Sequence, residues 1–178
     1  MIYPSPVGRL MLACREEGLA GLWIEGQKYF GESVLALPPE PHERPVLAAA
    51  RDWLDRYFAG EKPLPSELPL CPAGSAFRQA VWGILCGIPY GSVITYGDIA
   101  KEMAKRLGRA HMSAQAVGGA VGHNPISIII PCHRVVGTNG SLTGYAGGIA
   151  VKTRLLAAEG IDVSRLSVPR RKNAIENG

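Results

Sequence analysis

The run Ala114-Gln115-Ala116-Val117-Gly118-Gly119-Ala120-Val121, closed by Gly122-His123-Asn124-Pro125, decides how the chain is read. Ser113 can cap a helix there, and the residue before a proline ends one. Upstream, Thr95 stands three residues ahead of Asp98, a helix-opening pattern, with Ile99, Met103 and Leu107 on the inner face and Gly108 as the stop. Two short helices joined by a turn read as a helix-turn-helix. Base-reading helices usually expose several Arg, Asn or Gln side chains. This one has Gly118, Gly119 and Gly122, and each interior Gly costs about 1 kcal/mol relative to Ala. Close approach of another backbone explains such a cost, and a neighbouring helix and DNA stand level as its source.

Directly downstream comes Ile128-Ile129-Ile130-Pro131-Cys132-His133-Arg134-Val135-Val136. The Ile run reads as a short buried strand, and Pro131 removes a donor and stops the ladder. A lone Cys is more often a small core residue than a reactive one. Here the thiol is delivered beside an imidazole and a guanidinium. Because the thiolate is the reactive form and nearby positive charge favours it, Cys132 is a candidate nucleophile.

Outward from this centre, Val7 to Cys14 and Leu19 to Ile24 read as a hairpin, and 33–45 as a proline-rich loop. From Val46 the apolar positions fall on one helical face until Gly60, with Trp53 and Tyr57 expected in the core. Four prolines between residues 61 and 74 mark a linker, and Phe77, Ala80, Val81, Ile84 and Leu85 open a buried helix. Past the cysteine, Gly137 to Ser141 is a turn, Gly144 to Gly148 a loop holding Tyr145, and Ile149 to Glu159 a helix stopped by Gly160. The expected units are 1–70, an α/β structural domain with its linker, 71–165, a mainly helical domain, and 166–178, a basic disordered tail.

Of 178 residues, 47% are hydrophobic and 19% charged, the balance of a globular protein. No apolar run is long enough to span a bilayer and no leader precedes Val7, so the expectation is a soluble, cytoplasmic protein without a membrane partner. Cys14, Cys71, Cys86 and Cys132 lie far apart, which argues against a zinc cluster, and reduced thiols are expected. Residues 1–70 carry seven basic and ten acidic side chains, whereas residues 71–178 carry twelve and five. The thiol therefore sits in a basic half, which suits a polyanionic partner.

The set Ala116-Val117-Gly118-Gly119-Ala120, Asn124-Pro125, Ile130-Pro131-Cys132-His133-Arg134-Val135-Val136 and Tyr145-Ala146-Gly147-Gly148 resembles the O6-alkylguanine-DNA alkyltransferases. The likeness runs from about Phe77 to Gly160. It implies an α+β fold: a small N-terminal α/β, ribonuclease-H-like domain and a mainly helical C-terminal domain with a helix-turn-helix. It implies suicidal repair by a monomer without cofactor or metal, docked in the minor groove of double-stranded DNA. The alkylated guanine is flipped out and its alkyl group passes to Cys132. By position, His133 takes the thiol proton through a water, Glu159 orients it, Asn124 is a hinge, Tyr96 presses on the phosphate, and Lys152 lies near that tyrosine. Gln115, Ala116, Gly118, Gly119 and Val121 fall on the DNA side. Arg134, Val135, Tyr145, Ala146 and Gly147 fall around the guanine pocket, with the Ala146 N–H directed at the leaving oxygen. Family members often carry an arginine finger where this chain has Gln115, so flipping is expected to persist with weaker duplex affinity. A lesion sensor without transfer, a thiol hydrolase and a transcription regulator are the competing readings. The sensor would lack the acceptor thiol, and the hydrolase would leave the helix pair without a role.

Overall fold

The computed structural model describes residues 1–32 and 44–167. Most of the expected proline-rich loop and most of the expected tail therefore lie outside the described residues. The fold is mixed α+β, a small sheet followed by a helical half. Strands β1 (Ile2–Ser5), β2 (Gly8–Arg15) and β3 (Gly18–Ile24) form an antiparallel sheet in sequence order. The hairpin was legible, but β1 was not. Pro4 and Pro6 mask it, and Pro4 is tolerated because β1 is an edge strand. Every residue of β3 is buried. Its second edge is covered by two later segments, with Leu22 bridged to Ile126 and Leu19 to Leu70.

Helix α1 (Pro45–Phe58) begins at a proline suited to a first turn and packs Leu47, Ala50, Trp53, Leu54 and Tyr57 inward, against β2 and β3. Helix α2 (Ala76–Cys86) is capped by Ser75, and its Trp82 donates its indole N–H to the Ala120 carbonyl at 2.9 Å. That bond ties α2 to the helix pair α3 (Tyr96–Arg106) and α4 (Ala114–Gly122), capped by Thr95 and Ser113 as read from the sequence. One departure is Leu107. It follows the last turn of α3 and is 48% exposed rather than on the inner face. A single hydrophobic cluster runs through both halves, from Leu12 and Trp53 to Val81, Ile126 and Ile130.

Ile128, Ile129 and Ile130 are fully buried, yet they form tight turns and not a strand. The Ile129 N–H donates to Ser127 O at 2.8 Å, Ile130 N–H to Ile126 O at 3.0 Å, and Cys132 N–H to Ile130 O at 2.8 Å. Ile128 has φ of 70°, a conformation costing a β-branched residue on the order of 1–3 kcal/mol. A short buried apolar run cannot by itself distinguish extension from coiling, and here three anchoring carbonyls coil it. The chain then makes a 3-10 turn over Cys132–Arg134. It ends in β5 (Val135–Val136), which pairs in parallel with β4 (Ile94–Thr95). Helix α5 (Ile149–Ala158) closes the order, with Glu159 as its cap residue.

Candidate active site

The coil before Cys132 fixes where its sulfur points. Asn124 knits that coil together. Its Oδ1 accepts from Ile126 N–H at 3.0 Å, and its Nδ2 donates to Ile130 O at 2.8 Å and to Cys132 Sγ at 3.1 Å. Cys132 is 6% exposed, so the thiol lies in an enclosed setting. Burial pushes its pKa up, opposed by the Asn124 donor and the Lys152 cation. The resting sulfur is thus a neutral thiol that needs a base.

The neighbouring 3-10 residues aim at Glu159 on the end of α5. His133 Nε2 lies 2.6 Å from Glu159 Oε1. Arg134 donates from Nε to Oε2 at 2.8 Å and from Nη2 to Oε1 at 3.0 Å, while its Nη1 reaches Ile88 O at 2.6 Å. The Gly91 N–H donates to Oε2 at 3.1 Å and the Tyr57 hydroxyl to Oε1 at 2.7 Å. Burial would raise the Glu159 carboxyl, but His133 and Arg134 outweigh it and hold the pKa at about 2. Burial also pushes His133 below its ordinary value. A neutral imidazole beside a carboxylate must carry its proton on Nε2. The Nδ1 lone pair is left buried with no hydrogen-bond partner among the described residues.

The β4–β5 pairing places Tyr96 at the start of α3. Its hydroxyl donates toward Thr143 O at 3.2 Å and Gly144 O at 3.3 Å, and burial lifts its pKa to about 12. Lys152 is fully buried and donates to the Val135 and Thr143 carbonyls. Burial lowers its pKa to about 8, against the pull of Cys132. The loop carrying Tyr145, Ala146 and Gly147 is held from the sheet side by the Lys28 N–H, which donates to Ala146 O at 3.1 Å. Gly147 has no room for a side chain, since a Cβ there would meet Tyr145 Cε1 at 2.9 Å and Ile24 Cδ1 at 3.0 Å. An open depression of about 690 Å³ runs beside this wall, lined by Tyr96, Gln115, Gly118, Gly119, Thr143 and Gly144.

Gln115, Ala116 and Gly119 lie exposed on one face of α4, and among the described residues nothing beyond the helix's own backbone and the adjoining residues comes within 4 Å of a Cβ built on Gly119 or Gly122. Internal packing therefore does not account for those two glycines. A Cβ built on Gly118 would meet the Tyr96 ring at 3.8 Å, an ordinary contact. Two assignments depart from the sequence reading. Val121 is 2% exposed and packs in the core, because it lies on the inner face of α4 with Val117 and Ala120. Arg134 turns away from any guanine to the Glu159 carboxylate, the acceptor that compensates its buried charge. Val135 is also fully buried, its carbonyl engaged by Lys152. Tyr57 and Gly91 were missed. Tyr57 lies 102 residues from Glu159, and its place on an amphipathic helix gave only a core signal.

Fold and site together define a helix-turn-helix protein with an enclosed cysteine tied by Asn124 to the end of its second helix. Residues 76–161 match the 6-O-methylguanine DNA methyltransferase DNA-binding domain, and residues 1–72 match the ribonuclease-like domain of the same methyltransferases. The methylated-DNA–protein-cysteine methyltransferase of Haemophilus influenzae is 44% identical over 162 residues, 89% of this chain and 84% of that protein. Its namesake in Methanosarcina acetivorans is 40% identical over 174 residues, 89% and 96% of the two chains. The crystal structure of Mycobacterium tuberculosis OGT in complex with DNA superposes with a TM-score of 0.71 at 39% identity, covering 93% of this chain and 92% of that one. The chain belongs to the 6-O-methylguanine DNA methyltransferase family.

Proposed function

We propose that this protein repairs alkylated DNA by direct reversal, moving the alkyl group of an O6-alkylguanine onto Cys132 once per molecule. The observation that carries the reading is the arrangement at the thiol. A neutral sulfur accepts from Asn124, and the adjacent imidazole is locked by Glu159 with Nδ1 as its free acceptor. His133 Nδ1 takes the thiol proton through a water, and Glu159 stabilises the imidazolium. The thiolate attacks the alkyl carbon in line, the S–C bond forms as the C–O6 bond breaks, and guanine is restored in the DNA. Tyr96 lines the depression beside α4, and we assign the Ala146 N–H as the donor to the leaving oxygen. A thioether offers no leaving group for return, so each chain acts once.

The reacting carbon is hidden in a duplex, so the nucleotide has to leave the stack, at a cost of a few kcal/mol that is least for a poorly paired base. The exposed Gly119 and small neighbours on α4 suit a minor-groove approach in which shape and phosphates dominate. The protein acts as a monomer on chromosomal DNA in the cytoplasm. A lesion sensor needs the same docking surface but no acceptor, and Cys132 is in place.

Intact-mass spectrometry after incubation with a duplex containing O6-methylguanine tests the reading. One methyl per chain is expected, and none in Cys132→Ser; an unchanged wild-type mass overturns it. Gln115 is exposed on the docking face and uncharged, with a shorter reach than arginine. Gln115→Arg is expected to tighten duplex binding by about threefold to tenfold, and to steepen its salt dependence by about one phosphate contact. An unchanged salt slope in a titration counts against a role for this position.

A further inference from the structure

We infer that Tyr57 is a positioning residue of the transfer relay, its phenolic O–H holding the Glu159 carboxylate in register with His133. The sheet-bearing half thereby supplies part of the chemistry. The inference rests on the alkyl-transfer reading above.

Tyr57 sits on the inner face of α1 and is 2% exposed. Its ring stacks on Trp53 at 5.4 Å and meets Phe58 and Tyr90 edge-on at 5.1 and 5.9 Å, so the hydroxyl is aimed by packing. It reaches Glu159 Oε1 at 2.7 Å and lies 3.4 Å from His133 Nε2, which shares that oxygen. Burial and the Glu159 charge push the phenol well above its usual range, so it donates at every working pH. The groups facing it are His133 and Arg134 on the cysteine turn, Glu159 after α5, and Tyr90; the Lys152 charge also bears on His133.

A donor to Oε1 does two things there. It fixes the carboxylate rotamer to which the imidazole is registered. It also draws negative charge away from His133, so that after Nδ1 has taken the thiol proton the Nε2 proton stays on the ring. Without the phenol, the carboxylate holds both the Glu159 proton and the imidazolium more readily. Both changes carry the acidic limb of the rate profile to higher pH.

The test is Tyr57→Phe, which keeps the ring and its stacking. Single-turnover transfer from an O6-methylguanine duplex is expected to slow by about threefold to tenfold with duplex affinity unchanged, the size of the net contribution of one ordinary hydrogen bond. The acidic limb is expected to rise in pH. On a Glu159→Gln background the same substitution is expected to add nothing, because its effect passes through that carboxylate. Rates are read below the melting midpoint of every variant, and the double-variant comparison cancels any shared loss of stability. A rate and limb matching wild type overturn the inference, as does an equal slowing on the Glu159→Gln background, which would mark Tyr57 as packing alone. If the wild type itself gains no methyl, the parent reading has failed; if it does and Tyr57→Phe behaves identically, only the role of Tyr57 has failed.

Discussion

Arg134→Met is expected to lower the unfolding free energy by about 3–5 kcal/mol, the usual cost of stripping one partner from a buried ion pair. For a chain of this size that is roughly a 6–20 °C fall in Tm, measurable by calorimetry or circular dichroism. The Glu159 side chain has no exposure and that of Arg134 only 6%, so neither charge has water to fall back on. Methionine fills much of the volume but leaves Glu159 without its two guanidinium donors and Ile88 O without Nη1. The loss also depends on pH. In the wild type Glu159 titrates at about 2, below its ordinary 4.5. Its stabilising contribution is therefore fully present above about 4.5 and is lost as pH falls through 2. Without Arg134 the folded-state pKa rises. The gap between variant and wild type is then widest near neutrality and closes in acid. A gap that is flat from pH 7 to pH 3 would show that Arg134 contributes by packing and not by pairing.

Glu159→Gln is expected to slow alkyl transfer by about 10²- to 10³-fold, within the range attributed to a positioned acid–base group. Burial already holds His133 below its ordinary pKa, even with the carboxylate 2.6 Å away. A neutral amide removes the charge that lets the imidazole take a proton in an enclosed site, and it permits either tautomer. Because the Glu159 side chain is fully buried while Gln115, Ala116 and Gly119 of α4 are exposed, affinity for the lesion duplex should not change. Single-turnover kinetics on a labelled oligonucleotide separate the two quantities. A rate within about threefold of wild type would mean that the thiol proton does not leave through His133 and Glu159.

What the chain announces by itself is local. Thr95, Ser113 and the helical periodicities set the caps and lengths of α3 and α4, because capping depends on residues two or three apart. Cys132 and His133 are adjacent, so their association was readable along the chain, whereas Asn124, eight residues before the cysteine, was joined to them only by the family resemblance. Where local pattern was ambiguous it misled. Three buried isoleucines look like a strand until Ile128 takes φ of 70°. The family resemblance gave Arg134 to the guanine pocket and Val121 to the DNA side. Their burial, one against Glu159 and one in the core, depends on elements far away in the chain. The same holds for Tyr57. An amphipathic helix reports which residues point inward, whereas the group that meets a hydroxyl there is settled only when α1 and the end of α5 pack together, 102 residues apart. Short-range sterics and capping are written along the chain; the partners of buried charges are chosen by long-range packing, since only packing excludes the water that would otherwise satisfy them.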